Sequence, residues 1–374
     1  MGKKNKYLLL GLICAAVVLM AALWAPDWEG AEKLPLSVRM QIWWQWHQAE
    51  KLLTQQESDR DGKEQCLADS QIAVLDSDAV YPEYLAHPEG LRRFVQAVQE
   101  GRNAYASLFR ITEEGELRQL LFQCRDGQVW FHTTQRNGEQ LETATLPVYD
   151  MELADWGIFY YRCYPAGDPH YIDYSQIRLQ PADRELWGLN QKYVRFLGYQ
   201  FVNLFLIDWQ EGNWGNLSFG DTLDSFYEAR TGEKLGWEKE GFSGTPSRVQ
   251  IPAEVFEETV LPYFAIDLET FRVLADYDSL TDSYPWCPIE GEDITPWHYP
   301  LCEPEVVSWQ ENGDGTLTLQ VQVYSPDLKT DRLFCHAVTV RPLEDGFQYV
   351  SNRITYVSGQ GLPPALSRFQ LNGE

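Results

Sequence analysis

The feature that sets the conditions for the rest of the chain is an uncharged run over residues 7–25, opening with Tyr7 and closing with Ala25, directly behind Lys3, Lys4 and Lys6. As a helix, this run would be about 28 Å long, close to the roughly 30 Å of a bilayer core. The lysines mark its cytoplasmic end, and few cations follow it, so the expected orientation is N-terminus in, bulk of the chain out. A cleaved signal peptide is the competing reading. Ala22 and Ala25 give poor cleavage sites, with Leu23 or Met20 in the outer small-residue position and Pro26 behind. A lipoprotein would use Cys14, but Gly11, Leu12 and Ile13 make a poor lipobox. Only six residues precede the run, so sensing across it is expected to need a partner.

Beyond the run lies more chain than one core commonly serves, and two or three subdomains are expected. An apolar content of 44% and an aromatic content of 14% point to a packed fold. The net charge is −25, and the three lysines before the run leave −28 on the remainder of the chain. So acidic a chain repels phosphate backbones, which excludes nucleic-acid binding as its main function. Six cysteines remain outside the run: Cys66, Cys124, Cys163, Cys287, Cys302 and Cys335. Outside the cytoplasm they permit three disulfides; buried thiols are the alternative. Cys287 and Cys302 flank one proline-rich loop and form the leading candidate pair.

Residues 36–53 read as a helix with Trp43, Trp44 and Trp46 crowded into one turn, and Trp24 and Trp28 lie nearby. An interfacial aromatic belt accounts for this crowding better than a surface for a membrane partner. Residues 54–65 are polar and read as a loop or linker. Pro88 opens a helix whose face is Leu91, Phe94, Val95 and Val98, and Gly101 closes it. Strands come next over 104–111, 117–124, 129–134 and from about 141, broken at Glu114-Gly115, Asp126-Gly127 and Asn137-Gly138. Two more, over 157–164 and 171–179, extend this meander. Asp183 and Asp221 are expected to cap helices running to about Phe196 and Arg230. Short helices are expected over 251–261 and 267–276, then strands over 316–324, 332–341 and 347–356. The fold class is α+β: a transmembrane helix, an antiparallel β-meander subdomain, then helices followed by a curled antiparallel sheet analogous to the nuclear-transport-factor-2 superfold. The expected divisions are 1–25 (tip and anchor), 26–65 (juxtamembrane helix and linker), 66–180 (β-rich), 181–250 (helical connection), 251–360 (C-terminal α+β) and 361–374 (tail).

One set of stretches carries a resemblance: Asn203-Leu-Phe-Leu-Ile-Asp208-Trp209, Ile251-Pro-Ala-Glu254, Phe256-Glu257, Tyr263-Phe264, Leu274-Ala275, Tyr277-Asp278 and Tyr284-Pro285-Trp286. Asp331-Arg-Leu-Phe334, His336, Val338-Thr-Val-Arg-Pro-Leu343, Asp345-Gly346 and Asn352 continue it. Together they resemble a family of uncharacterised envelope proteins of Clostridia-type Firmicutes, known only as a domain of unknown function. The match is poorest between Cys287 and Cys302. It implies membrane-anchored, extracellular placement and brings no activity with it.

Catalytic chemistry finds little support in the residues. His47, His87, His132, His170, His298 and His336 share no short metal spacing. His336 is expected to be a half-buried structural residue on a strand, facing away from Cys335. Gly241-Phe-Ser243-Gly244 is one residue short of a nucleophile elbow and reads as a flexible loop. Asp59-Arg-Asp61-Gly62 and Asn312-Gly-Asp314-Gly315 begin like calcium loops but lack the twelfth-position glutamate. No phosphate loop or other cofactor motif appears, and no metal site is assigned. Asp208, beside Trp209 after an apolar run, is the one enzyme-like acid. A glycosidase would need a second carboxyl across a cleft, and a backbone-bonding role at a strand end is the preferred reading. The expected function is a membrane-tethered extracellular domain that binds a protein or cell-wall partner or supports the envelope. A wall hydrolase using Asp208, or a partner-dependent sensor, are the alternatives.

Overall fold

The glycine pairs that break the strand pattern fold as tight hairpin turns. Asp126 and Gly127 both take positive φ, +52° and +80°, the backbone that a two-residue turn between twisted strands requires. A computed structural model describes residues 35–54, 58–76, 82–163, 173–236, 241–245, 248–288 and 299–371. The predicted anchor over 7–25, with Cys14, Trp24 and Trp28, lies outside them. Among the described residues no helix is long and apolar enough to cross a membrane. The chain divides into two compact units, Met1–Pro181 and Ala182–Glu374.

The first unit contains α1 (Leu36–Leu53), α2 (Arg60–Asp69), β1 (Val74–Asp76), β2 (Tyr84–Ala86), α3 (Glu89–Gln99), β3 (Ala104–Ile111), β4 (Leu117–Arg125), β5 (Gln128–Asn137), β6 (Gln140–Leu153), β7 (Ile158–Cys163) and β8 (Asp173–Arg178). The expected meander, β3 to β8, is present, but the open sheet becomes a closed barrel of order β1-β2-β8-β7-β6-β5-β4-β3. Closure comes from two three-residue strands that pair antiparallel with each other, while β1 runs parallel to β3 and β2 parallel to β8. They are too short to show a two-residue hydrophobic period, so the pattern in the sequence does not disclose them. Alternation along β4 sends Leu120, Phe122 and Cys124 into the barrel, where Phe122 meets Phe131, Phe159 and Tyr161 at 4.9–5.3 Å between ring centres. Leu121 points outward and is covered by Val38, Ile42 and Trp46 of α1. The expected linker over 54–65 is partly helix instead: Asp59 caps α2 by accepting the Gly62 amide, so this acid serves a helix terminus rather than a cation loop.

The second unit contains α4 (Arg184–Asn190), β9 (Trp209–Gln210), α5 (Leu223–Thr231), β10 (Ser243–Thr245), β11 (Arg248–Pro252), α6 (Ala253–Val260), α7 (Leu268–Leu274), β12 (Ser283–Trp286), β13 (Glu303–Glu311), β14 (Leu317–Ser325), β15 (Thr330–Leu343), β16 (Gly346–Val357) and α8 (Arg368–Leu371). Asp183 caps α4 as expected, and Asp267, at the start of the expected 267–276 helix, caps α7. Asp221 does not cap a helix: it is buried and faces the C-terminal segment. Ser243 opens a short edge strand paired with β11, not a flexible loop. A five-stranded sheet of order β13-β14-β15-β16-β9 and a three-stranded sheet β10-β11-β12 share one aromatic-rich core. Within it Phe226 stacks on Tyr263 at 3.8 Å and Phe256 on Tyr284 at 4.4 Å.

Residues 201–206 are buried without forming a regular element. Arg368, itself fully buried, donates from Nε to the Phe201 carbonyl, from Nη1 to the Cys287 carbonyl, and from Nη2 to the Asp221 carbonyl and the Asp224 carboxylate. The expected C-terminal tail is therefore a bolt that joins three distant segments. This packing gives two expected outcomes. Phe122→Ala should destabilise the first unit by about 3–5 kcal/mol through the cavity it leaves, read by denaturant unfolding. Arg368→Ala should cost the second unit roughly 3–5 kcal/mol, because Asp221 and three carbonyls lose their buried partner, read the same way on the full chain.

Candidate functional site

Along β14, β15 and β16, residues alternate between the core and the opposite face of the five-stranded sheet. Leu319, Val338, Val340 and Tyr349 point into the core. Thr318, Thr339 and Ser351 line the other side, where a groove of about 530 Å³ is bounded by Asp208, Gln210, Asn213 and Arg353. Thr318 and Thr339 share a hydroxyl contact of 3.1 Å across the strands. At the edge, Arg341 Nη2 reaches Glu211 Oε2 at 2.8 Å, and the Glu211 amide donates to the Val350 carbonyl at 2.7 Å. These contacts tie the turn after β9 to the sheet.

Asp208 lies in this groove, as the most enzyme-like acid of the sequence. Its Oδ1 accepts the Ile354 amide at 2.7 Å, the backbone-bonding role expected of an acid at a strand end. No second carboxylate is among the residues lining the groove. Trp209 offers no sugar platform: it is 4% exposed, its indole N–H donates to the Leu204 carbonyl, and its ring stacks on Trp214 at 5.5 Å. The groove can therefore present hydrogen-bond donors and acceptors to a ligand, with Asp208 the one carboxylate among the described residues that line it.

Beneath the groove runs a chain of buried polar groups. The Tyr199 hydroxyl meets His336 Nε2 at 2.8 Å, and His336 Nδ1 meets Asn352 Oδ1 at 2.7 Å. The Asn352 amide then donates to the Ile207 carbonyl at 2.8 Å. Because the Asn352 amide nitrogen is committed as a donor, its oxygen faces the ring. Nδ1 therefore carries the proton and Nε2 accepts from the tyrosine. His336 is fully buried, deeper than the half-buried position expected of it. Cys335 points to the opposite face, where it accepts from Arg332 Nε at 3.4 Å. Burial pushes the His336 imidazole down to about 4 and the Tyr199 hydroxyl well above its ordinary range. This relay positions the groove floor and is closed to solvent.

The remaining candidates are not brought together. The predicted Cys287–Cys302 pair is not formed: Cys287 packs with Phe201 and donates to the Pro288 carbonyl, while Cys302 packs against the main core. Burial pushes the Cys302 thiol up to about 12, so it is a poor nucleophile. Asn312 and Asp314 spend their side chains on Thr316 and Thr318 in the β13–β14 turn. His47 packs tilted against the Trp43 ring, and His87 bonds the Ala68 carbonyl. His170 and His298 lie outside the described residues. Among the described residues no group of three metal-ligating side chains converges. In the first unit, His132 sits between Thr145 and Gln123, and burial holds it down to about 4.

Both imidazoles are neutral in the fold and would titrate near 6.5 when unfolded. The unfolded chain therefore binds more protons between those values. The stabilisation is complete above about pH 6.5 and is lost as the pH falls towards 4, worth about 3 kcal/mol per histidine. Asp221 opposes this in the second unit, since burial raises its carboxyl to about 6, against the pull of Arg368. The first unit gives the cleaner measurement. The advantage of wild type over His132→Gln in denaturant unfolding should shrink by up to about 3 kcal/mol between pH 7 and pH 4.

No curated protein and no solved structure matches the chain. A family model described as "Family of unknown function (DUF6070)" matches residues 36–365, from the first residue of α1 to just short of Arg368. The match covers α1, the barrel and the groove-bearing sheet in one stretch, and the chain belongs to this family of unknown function.

Proposed function

We propose that the protein is a membrane-tethered, non-catalytic binding domain displayed outside the cytoplasm, and that the groove beside Asp208 is its ligand-contacting surface. The observation that carries this reading is the state of Asp208, whose carboxylate is engaged by the Ile354 amide with no second acid in the groove lining. A hydrolase needs one carboxyl free to move protons and another about 5–10 Å away. The tether rests on the uncharged run behind Lys3, Lys4 and Lys6.

The lining argues for the ligand class. Thr318, Thr339, Ser351, Gln210 and Asn213 offer neutral donors and acceptors, with Arg353 at one side. Such a surface suits a neutral, hydroxyl-rich chain, and a cell-wall glycan segment meets that description. A groove of about 530 Å³ matches the usual size of a small-ligand site. A strongly anionic polymer is disfavoured by the −25 net charge.

Titration calorimetry of the detergent-solubilised full chain with neutral wall-derived oligosaccharides tests this reading. Asn213→Ala and Arg353→Ala should each weaken binding by about tenfold, the loss of one or two good hydrogen bonds, with unfolding unchanged. Release of reducing ends by the wild type, abolished in Asp208→Asn, would overturn the non-catalytic reading in favour of the hydrolase.

A further inference from the structure

A helix on the surface of a folded domain has one apolar stripe, turned to the core. α1 has two. Val38, Ile42, Trp46 and Ala49 are 0–6% exposed and face the first unit, with the first three on Leu121 and Leu141. Leu36, Met40, Trp43 and Trp44 are 47%, 36%, 39% and 56% exposed. At about 100° per residue these four fall on the helix side opposite the inner stripe, and His47 and Lys51 share that side. The outer stripe is ordered: the His47 ring packs tilted against Trp43 at 4.2 Å between ring centres, and His47 bonds the Trp43 carbonyl at 2.9 Å.

Charge marks this face as well. The chain carries 55 acidic residues, yet the exposed positions of α1 are Leu36, Ser37, Met40, Trp43, Trp44, His47, Gln48 and Lys51, with no acid among them. Glu50, the one acid in the helix, turns aside to pair with Arg136 of β5. Two indoles, a methionine and a leucine, with histidine and lysine among them, have the composition of a helix lying in the headgroup layer. Their rings would enter that layer and their polar tips would remain wet.

Chain length supplies the occupant. Ten residues separate Ala25 from Leu36, a reach of at most about 35 Å even when fully extended. A helix about 27 Å long is thus held within reach of the surface in which residues 7–25 are expected to sit. We propose that α1 lies along the bilayer surface with Leu36, Met40, Trp43 and Trp44 in the headgroup layer, so that the barrel unit rests against the membrane. This proposal rests on the membrane tether of the preceding subsection and adds an orientation to it.

The test uses the full chain in vesicles of phosphatidylcholine with a minority of phosphatidylglycerol, with lipids brominated at shallow or deep acyl positions. Trp43→Phe/Trp44→Phe keeps the buried Trp46, and near-ultraviolet circular dichroism checks that the fold is intact. The wild-type minus variant fluorescence should fall about twofold with shallow bromines and less with deep ones, as for interfacial indoles. Flotation that leaves this difference signal unquenched would overturn the proposal while the tether stands. Failure of both proteins to float in carbonate would overturn the tether and the proposal with it. A benzophenone side chain at Trp44 in native membranes should label lipid; labelling of a protein alone would also overturn the proposal.

Discussion

The second unit is organised around a stretch of chain, residues 201–206, that is buried without being helix or strand. A buried backbone that lacks a ladder must have its carbonyls satisfied in other ways, by turns such as that of the Leu206 amide on the Asn203 carbonyl or by side chains. Three side chains do so along the loop and its exit, two from distant parts of the sequence and one, Trp209, from five residues on. Arg368 takes the Phe201 carbonyl, the Trp209 indole takes that of Leu204, and Asn352 takes that of Ile207. Asn352 is oriented by His336, and His336 by Tyr199. One packing problem thus accounts for a buried arginine, a neutral histidine and a tyrosine hydroxyl held well above its ordinary range. Asp208 belongs to the same set, since it holds the loop's exit to the Ile354 amide.

The barrel unit meets a different constraint. A sheet has two unpaired edges, and this one removes them by joining β3 and β8 through two very short strands. Closure leaves the interior to be filled by aromatic rings around Phe122. It also leaves apolar residues such as Leu121 and Leu141 outside, and α1 covers them. The layer beneath α1 includes polar groups, with Gln119 bonding Gln45 and Ser107. The polar match is partial: among the described residues Gln41 Nε2, Trp46 Nε1 and Gln119 Oε1 are buried without a partner, so apolar packing carries the contact between helix and barrel.

The candidate site was legible in parts. Asp208 stood out because an acid follows an apolar run, and the groove does contain it. Its neighbours Thr318, Thr339 and Ser351 gave no signal, because outward-facing threonines and serines are ordinary on a half-exposed strand. Arg368 gave none either, as a lone arginine in a short C-terminal stretch reads as solvated. The expected Cys287–Cys302 link rested on spacing around one loop, and spacing does not report where side chains point. The helix over 60–69 was obscured by polar composition, since Asp59 reads as a loop residue until its role as a cap is seen.

The sequence by itself determined the local elements: β3 to β8 with the Gly-containing turns between β3 and β6, α3, the Asp183 cap, and the alternation of β14. Each of these depends on neighbours a few residues apart, through hydrophobic period, turn backbone or capping geometry. Only the tertiary structure decided the barrel's closure, the two-sided burial of β4 and the inward turn of Trp46. It alone decided the Arg368 bolt and the Tyr199–His336–Asn352 relay. Those depend on contacts between residues as far apart as 167 positions, as in Arg368 with Phe201. No local pattern encodes which distant carbonyl a side chain will satisfy.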